Sequence, residues 1–354
     1  MLNTMPCVAN CFDYKGTILS IEKLGSGHIN STYLVATTAQ KYVLQQINTA
    51  VFPNVEELMS NMLKVTRHIA KKQFASSLVA TKQGKYFTEY DGKFFRMYDL
   101  VDGICIENAK TCKEMYLTGL GFGLFQKEMR NFNESLYEVI PDFHNTVKRY
   151  HNLIEAYNKD SANRAVCCQD IVDTLLKYKD YSNIIVDKIS SGELPKRTVH
   201  NDAKINNLIV DVVNCKPISV IDLDTVMEGS LLYDFGDAVR SGCNSSFEDE
   251  EDVSKIYLRQ DFFRALCRGF FMHTRDMLKK EEIELLALSG VILTYECALR
   301  FLTDSLNGDI YFKVAKPNHN LIRAKAQLAL MQDMLKNILT LEDIVKQELN
   351  NLNL

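Results

Sequence analysis

The chain has 354 residues, with 41 Lys and Arg against 45 Asp and Glu for a formal charge of −4, so nothing in its bulk composition draws it to nucleic acid or an anionic membrane. An apolar fraction of 46% and a charged fraction of 24% describe an ordinary globular protein, and the length exceeds one typical hydrophobic core, which predicts two lobes. The opening "MLNTMPCVANCFDYKG" has neither a basic n-region nor an apolar core, no later segment reaches the ~18 uninterrupted apolar residues of a membrane span, and the ten cysteines lack the pairs and His spacings of zinc sites. The expectation is a cytoplasmic protein with reduced cysteines.

The first hundred residues read as strands with one helix. "TILSIEKLGSGHINSTYLVAT" is an apolar run, a Gly-rich turn and a second apolar run, and "KYVLQQIN" is a third strand. Pro53 and Asn54 open a segment in which Val55, Leu58, Met59, Met62 and Ile69 recur at helical spacing. In "KYFTEYDGKFFRMYDL" the pair Asp91-Gly92 signals a hairpin, because both turn positions tolerate positive φ. After the connector "VDG" at 101–103 the composition turns helical. Long helical patterns cover about 111–135 and 143–160, and 255–349 is almost all helix-like apart from "NGDIYFKVAKPNHN". Between them lies one hairpin pattern, "NLIVDV-VNCK-PISVID". The boundaries expected are 1–100 for a sheet-rich lobe and 101–354 for a helical one.

The chemistry is concentrated in "TVHNDAKINNLIVD", a polar turn between two β-branched runs. Asp202 is followed five residues on by Asn207, and fifteen residues beyond that a second strand ends in "VIDLDT" with Asp222 and Asp224. Phosphoryl transfer from ATP needs a carboxylate near the attacking hydroxyl and hard oxygen ligands for Mg²⁺. A loop ending in Asn and a nearby strand ending in Asp supply both.

The pattern H-x-D-x4-N followed by an apolar "ID" resembles the catalytic core of the protein-kinase-like fold, in its aminoglycoside and choline kinase branch. "HNDAKINN", "VIDLDTVMEGSLLYDFGDAVR" and "RFLTDSLNGDIYFK" are closer still to the N-acetylhexosamine 1-kinases, which phosphorylate the anomeric hydroxyl of N-acetylated amino sugars. The likeness spans nearly the whole chain. It implies an α+β fold with a small β-rich N-terminal lobe and a larger, mainly helical C-terminal lobe, with ATP and Mg²⁺ as cofactors. It further implies a nucleotide and a small sugar as the binding partners of a monomer or weak homodimer, with no nucleic acid and no membrane. Carried over, Asp202 is the catalytic carboxylate, Asn207 and Asp222 hold magnesium, and Lys204 neutralises charge on the transferred phosphoryl group. Asp224 supports the metal site from behind or faces the substrate. His200 braces the loop. The DFG triplet at Asp234 lies too far along to be the metal ligand, so Asp234 and Asp237 are expected to cap or brace the following helix, with Arg240 as partner.

At the nucleotide end, Gly25, Ser26 and Gly27 form the phosphate-covering turn, where glycine lets the backbone approach closely. The third strand carries Gln45 and Gln46 where kinases have a lysine, so Gln45 is the polar contact left there. Met97, Tyr98, Asp99 and Leu100 are the expected main-chain contact for adenine. For the acceptor, Arg300, Asp304 and Tyr311 offer donors, an acceptor and an apolar face, while Tyr233 and Phe312 are assigned to the core. "GLGFGLFQ" at 119–126 reads as close helix packing. A kinase of another small hydroxyl compound (aminoglycoside, choline, methylthioribose) or a non-catalytic nucleotide-binding module are the alternatives. The acidic run "FEDEED" is the one feature suited to a polycationic acceptor.

Overall fold

The computed structural model describes residues 4–25, 29–70, 74 and 76–351. In chain order the elements are α1 (Met5–Ala9), β1 (Ile18–Lys23), β2 (Ser31–Thr37), β3 (Lys41–Gln46), α2 (Val55–Ala70), β4 (Leu78–Val79), β5 (Thr88–Tyr90), β6 (Lys93–Asp99) and β7 (Ile104–Cys105). Then follow α3 (Cys112–Met129), α4 (Thr146–Lys159), α5 (Ala165–Leu176), α6 (Ile184–Ser190), β8 (Arg197–Val199), β9 (Leu208–Asp211), β10 (Lys216–Val220) and β11 (Met227–Gly229). The chain closes with α7 (Leu231–Gly242), α8 (Gln260–Thr274), α9 (Lys280–Leu306), α10 (His319–Lys336) and α11 (Ile338–Asn351).

Period-two alternation builds the N-terminal sheet, in the order β1-β2-β3-β6-β4 with β5 also on β6, every pair antiparallel. Tyr33, Val35, Tyr42, Leu44, Phe95 and Met97 point to one face, where Met5, Val8 and Ala9 of α1 and Phe12 close a small core. The Asp91-Gly92 turn joins β5 to β6 with both residues at positive φ, 53° and 68°. Amphipathic α2 packs Leu58, Met62, Val65 and Ile69 into the larger core shared with the C-terminal lobe. Its first turn carries Glu56 and Glu57 and its last Arg67 and His68, signs that suit the helix dipole.

The C-terminal lobe is helical around two small strand pairings, β10-β9-β7 and β11-β8. The "GLGFGLFQ" glycines do serve packing. A Cβ on Gly119 would stand 2.1 Å from the Leu266 carbonyl and one on Gly269 2.1 Å from that of Tyr116, so α3 and α8 meet backbone to backbone. The N-terminus of α3 is closed by a capping box between Thr111 and Glu114. Helix α9 is long and apolar enough to cross a membrane, yet 78% of its most apolar window is buried in protein, which makes it the core helix of the lobe. Helices α1, α5 and α6 carried no signal that the sequence reading used.

Candidate active site

The cleft between the lobes is lined from the sheet side by Ile29, Asn30, Thr32 and Gln45, and from the helical side by Asp202, Lys204, Asp222, Asp237, Arg240, Arg300 and Tyr311. The loop after β8 and the turn after β10 meet at its floor. Both turns carry a left-handed residue, Asn201 at φ 62° and Asp222 at φ 58°, a conformation that Asn and Asp tolerate best among residues with a Cβ. Buried hydrogen bonds hold it. Asp234 accepts from the His200 and Asn201 amides at 2.9 and 2.8 Å and from Gln126 Nε2 at 2.6 Å, and Thr225 Oγ1 donates to the His200 carbonyl at 2.8 Å. His200 braces the two strands through its imidazole, 3.0 Å from the Ile221 carbonyl. Asp234 therefore anchors the catalytic loop from inside α7 instead of capping that helix, whose cap is Ser230. Asp237 does pair with Arg240, at 2.8 Å.

Asp202 lies 3.3 Å from the Lys204 ammonium. Burial acts to raise its pKa, but Lys204 and His200 hold the carboxyl below the usual range, and Lys204 is raised in return. Asn207 Nδ2 donates to the Asp202 carbonyl at 2.8 Å and to its carboxylate at 2.9 Å, which orients the amide behind Asp202. Asp222 sits on the open floor of the cleft. Its enclosure there, with the Asp224 and Asp202 carboxylates nearby, pushes its carboxyl up to about 6. Among the described residues no three His, Cys, Asp or Glu side chains form a ready cation cage. Magnesium at phosphates normally takes one or two protein oxygens and completes its shell with phosphate and water. Asp222, where negative charge is in surplus, fits that requirement; Asn207 is buried behind Asp202, outside the cleft lining, and its main-chain carbonyl accepts from the Ile221 amide, so only its side-chain Oδ1 is left for a cation.

Several expected residues lie elsewhere. Asp224 is buried and does not line the cleft: its oxygens are taken by Arg96 at 2.5 Å and Asn30 at 2.7 Å, so it is not a substrate-facing carboxylate. Asp304 is buried too, accepting from the amides of Ile310, Tyr311 and Phe312 and from Asn320 Nδ2, all within 2.8–3.0 Å. It shapes the loop that carries Tyr311 instead of touching an acceptor. Phe312, assigned to the core, lines the cleft with its ring 5.5 Å from the Arg300 guanidinium. Gln45 lines the cleft, but its carbonyl oxygen is held by Arg96. On β6, Met97 is buried in the small core, and the Asp99 and Leu100 amides already donate to the carbonyls of Ser77 and Lys41. An adenine contact from those two amides is therefore closed off. The main chain of Val101 to Gly103 enters none of the described hydrogen bonds. Gly25 is exposed at φ +66°; Ser26 and Gly27 lie outside the described residues.

Two features went unread in the sequence. Arg96 is one, fully buried on β6 opposite Gln45. The other is a relay from α9: Glu296 accepts from His144 Nδ1 at 2.7 Å and Thr146 Oγ1 at 2.7 Å, while His144 Nε2 lies 2.7 Å from the Asn201 carbonyl. Burial works against the His144 charge, but Glu296 and that carbonyl raise its pKa above the ordinary value. A doubly protonated imidazole satisfies both partners.

The profile of the phosphotransferase enzyme family (APH) matches residues 20–270. Homoserine kinase from Zymomonas mobilis is 24% identical over 288 residues, 81% of this chain and 80% of that one. A microcompartment-associated aminopropanol kinase superposes with a TM-score of 0.63 at 15% identity over 96% of this chain and 98% of that one. An ADP-bound aminoglycoside phosphotransferase does so with 0.53 at 15% identity, over 89% and 94%. The protein has the kinase-like fold, with a small sheet lobe and a larger helical part.

Proposed function

The chain belongs to the phosphotransferase enzyme family, and on that footing we propose that it transfers the γ-phosphoryl group of ATP to the anomeric hydroxyl of an N-acetylhexosamine, giving the sugar 1-phosphate. Asp202 orients the hydroxyl and takes its proton as the new O–P bond forms and the bond to ADP breaks. The ring oxygen makes an anomeric hydroxyl more acidic than an ordinary alcohol, so a carboxylate held low by Lys204 suffices. Lys204 meets charge developing on the phosphoryl oxygens. Asp222, with the Asn207 side-chain oxygen, would hold magnesium, which would supply charge neutralisation on the phosphates.

The observation that carries the acceptor assignment is Arg300. Its guanidinium lines the cleft over Phe143 and Phe312, at 5.0 and 5.5 Å, and makes none of the described ion pairs. The carboxylates of that end are already engaged: Asp237 and Glu248 with Arg240, Glu296 with His144. In the acidic run Arg240 pairs with Glu248, Lys316 lies 3.9 Å from Asp249 and 2.8 Å from Glu251, and Lys255 pairs with Asp252, so most of its carboxylates already face a cation. An ammonium-bearing acceptor needs a carboxylate whose charge is not already paired, whereas a hydroxyl needs only a free oxygen, which Asp237 keeps at Oδ2 despite its pairing with Arg240. A sugar amide and hydroxyls need a donor such as Arg300, an acceptor such as the buried, unpartnered Asp237 Oδ2, and an aromatic cover such as Tyr311.

A second reading draws support from the homoserine kinase relative, since Arg300 also suits the carboxylate of a hydroxy amino acid. A panel of N-acetylglucosamine, N-acetylgalactosamine, glucose, homoserine, aminopropanol and an aminoglycoside, with each product assigned by phosphorus NMR, separates them. The N-acetylated sugars should give 1-phosphates, and Arg300→Ala should raise the acceptor KM far more than the nucleotide KM. Turnover confined to homoserine or an amine overturns the sugar assignment.

A further inference from the structure

Alternation along β6 sends Phe95 and Met97 into the small core and leaves Arg96 on the opposite face, fully buried. A guanidinium there is tolerable only if its donors are met. They are: Nε and Nη2 donate to Gln45 Oε1 at 3.0 and 2.7 Å, and Nη1 lies 2.5 Å from Asp224 Oδ1 and 2.8 Å from Met62 Sδ. Asp224 belongs to the other lobe, two residues beyond Asp222. Its second oxygen accepts from Asn30 Nδ2 at 2.7 Å, and Asn30 Oδ1 accepts from the Asn48 amide at 2.9 Å. Asn30 immediately precedes β2. One carboxylate of the helical lobe thus grips β6 and the residue that leads into β2, without itself lining the cleft.

We propose that Arg96, Asp224 and Asn30 form an interlobe latch, a positioning cluster that fixes the start of β2 against the Asp222 turn and so prepares the site for a nucleotide with its divalent cation. Parting the lobes at this point breaks the Arg96 ion pair and the Asn30 hydrogen bond together, and both depend on one spacing. Pairing with Arg96 also neutralises Asp224, leaving Asp222 as the open carboxylate on that side of the floor. No lysine of β3 reaches the cleft, whose β3 position is Gln45. The only cation that the sheet lobe brings against the "DLD" turn in the described ion pairs is Arg96.

The inference rests on the nucleotide-binding reading, and its test separates the two. The affinity of wild type, Asp224→Asn, Arg96→Lys and the double variant Arg96→Met/Asp224→Leu for a non-hydrolysable ATP analogue with magnesium is measured by calorimetry, alongside Tm and amide exchange of residues 29–35. An apolar pair of similar volume replaces a buried ion pair at little net cost, so the double variant should melt within about 5 °C of wild type. It should nevertheless bind nucleotide about tenfold or more weakly, with faster exchange at 29–35, because the start of β2 is no longer held against the Asp222 turn. A folded double variant with affinity and exchange like wild type reduces the cluster to a packing feature and overturns the latch. Should the double variant not fold, the single variants decide. Weaker binding by Asp224→Asn with partial recovery in Arg96→Lys supports the latch, and wild-type affinity in both overturns it. A wild type that binds no nucleotide overturns the kinase reading itself.

Discussion

Replacing Asp234 with asparagine tests whether the DFG-like triplet is a brace or a metal ligand. The carboxylate accepts three buried hydrogen bonds, two of them from the amides that open the catalytic loop. Asparagine keeps the shape but turns an N–H toward one of these donors. The bond lost is worth about 2 kcal/mol and those that remain fall to roughly half their strength. Burial pushes the Asp234 carboxyl upward, and relief of that penalty offsets part of the loss, leaving roughly 2–4 kcal/mol. At about 2–4 °C per kcal/mol for a chain of this size, Tm should fall by roughly 5–15 °C. Because Asn201, held at φ 62°, immediately precedes Asp202, kcat should drop on the order of 10²-fold from misplacement of the carboxylate. Scanning calorimetry and steady-state kinetics across a magnesium titration give all three quantities. A variant that melts like wild type but needs far more magnesium would refute the brace and make Asp234 a metal-binding group.

Asp202→Asn should lower kcat by about 10²-fold or more with little change in nucleotide KM, measured by coupled ADP release. Asp222, with its carboxyl pushed up to about 6, gives a pH signature. Between about 4, where the unfolded chain releases this proton, and about 6 the folded protein still holds it, so the nucleotide-free protein should gain stability as pH falls through that window. Magnesium with nucleotide should stabilise most above it, and Asp222→Asn should flatten both trends in Tm measured against pH. Asp304→Asn should raise the acceptor KM without moving the nucleotide KM, and hydrogen exchange should show the amides of Ile310, Tyr311 and Phe312 losing protection.

What the sequence disclosed was local. Alternation gave the strands, the 3.6 period gave α2, Asp91-Gly92 gave its turn, and the spacing from Asp202 through Asn207 to Asp222 brought three polar groups to adjoining turns. What stayed hidden depends on pairs far apart in the chain. Asp304 looked like a ligand because its partners are mostly main-chain amides, which a sequence does not label. Glu296 and His144 meet across 152 residues. Asp99 and Leu100 have no amide to offer adenine because β6 is flanked on both sides, by β3 and β4, and their N–H groups are engaged there. Arg96 did leave a trace, since an arginine inside the apolar run "KFFRMYDL" demands a buried acid somewhere.

The backbone-to-backbone contact of α3 with α8 bears on how this protein can diversify. Gly119, Gly123 and Gly269 leave no room for even a methyl group, since a Cβ on Gly123 would lie 2.6 Å from the Phe270 carbonyl. The two helices are welded at fixed separation and neither lines the cleft, so a lineage, or an engineer, seeking a new acceptor has nothing to gain by changing that contact. Change is channelled into the segments at 244–259 and 307–318, whose exposed Phe247, Ile310 and Val314 tolerate substitution and insertion. A library confined to those two stretches should yield altered acceptor preference at nearly constant melting temperature, while substitutions at the weld should yield mostly insoluble protein.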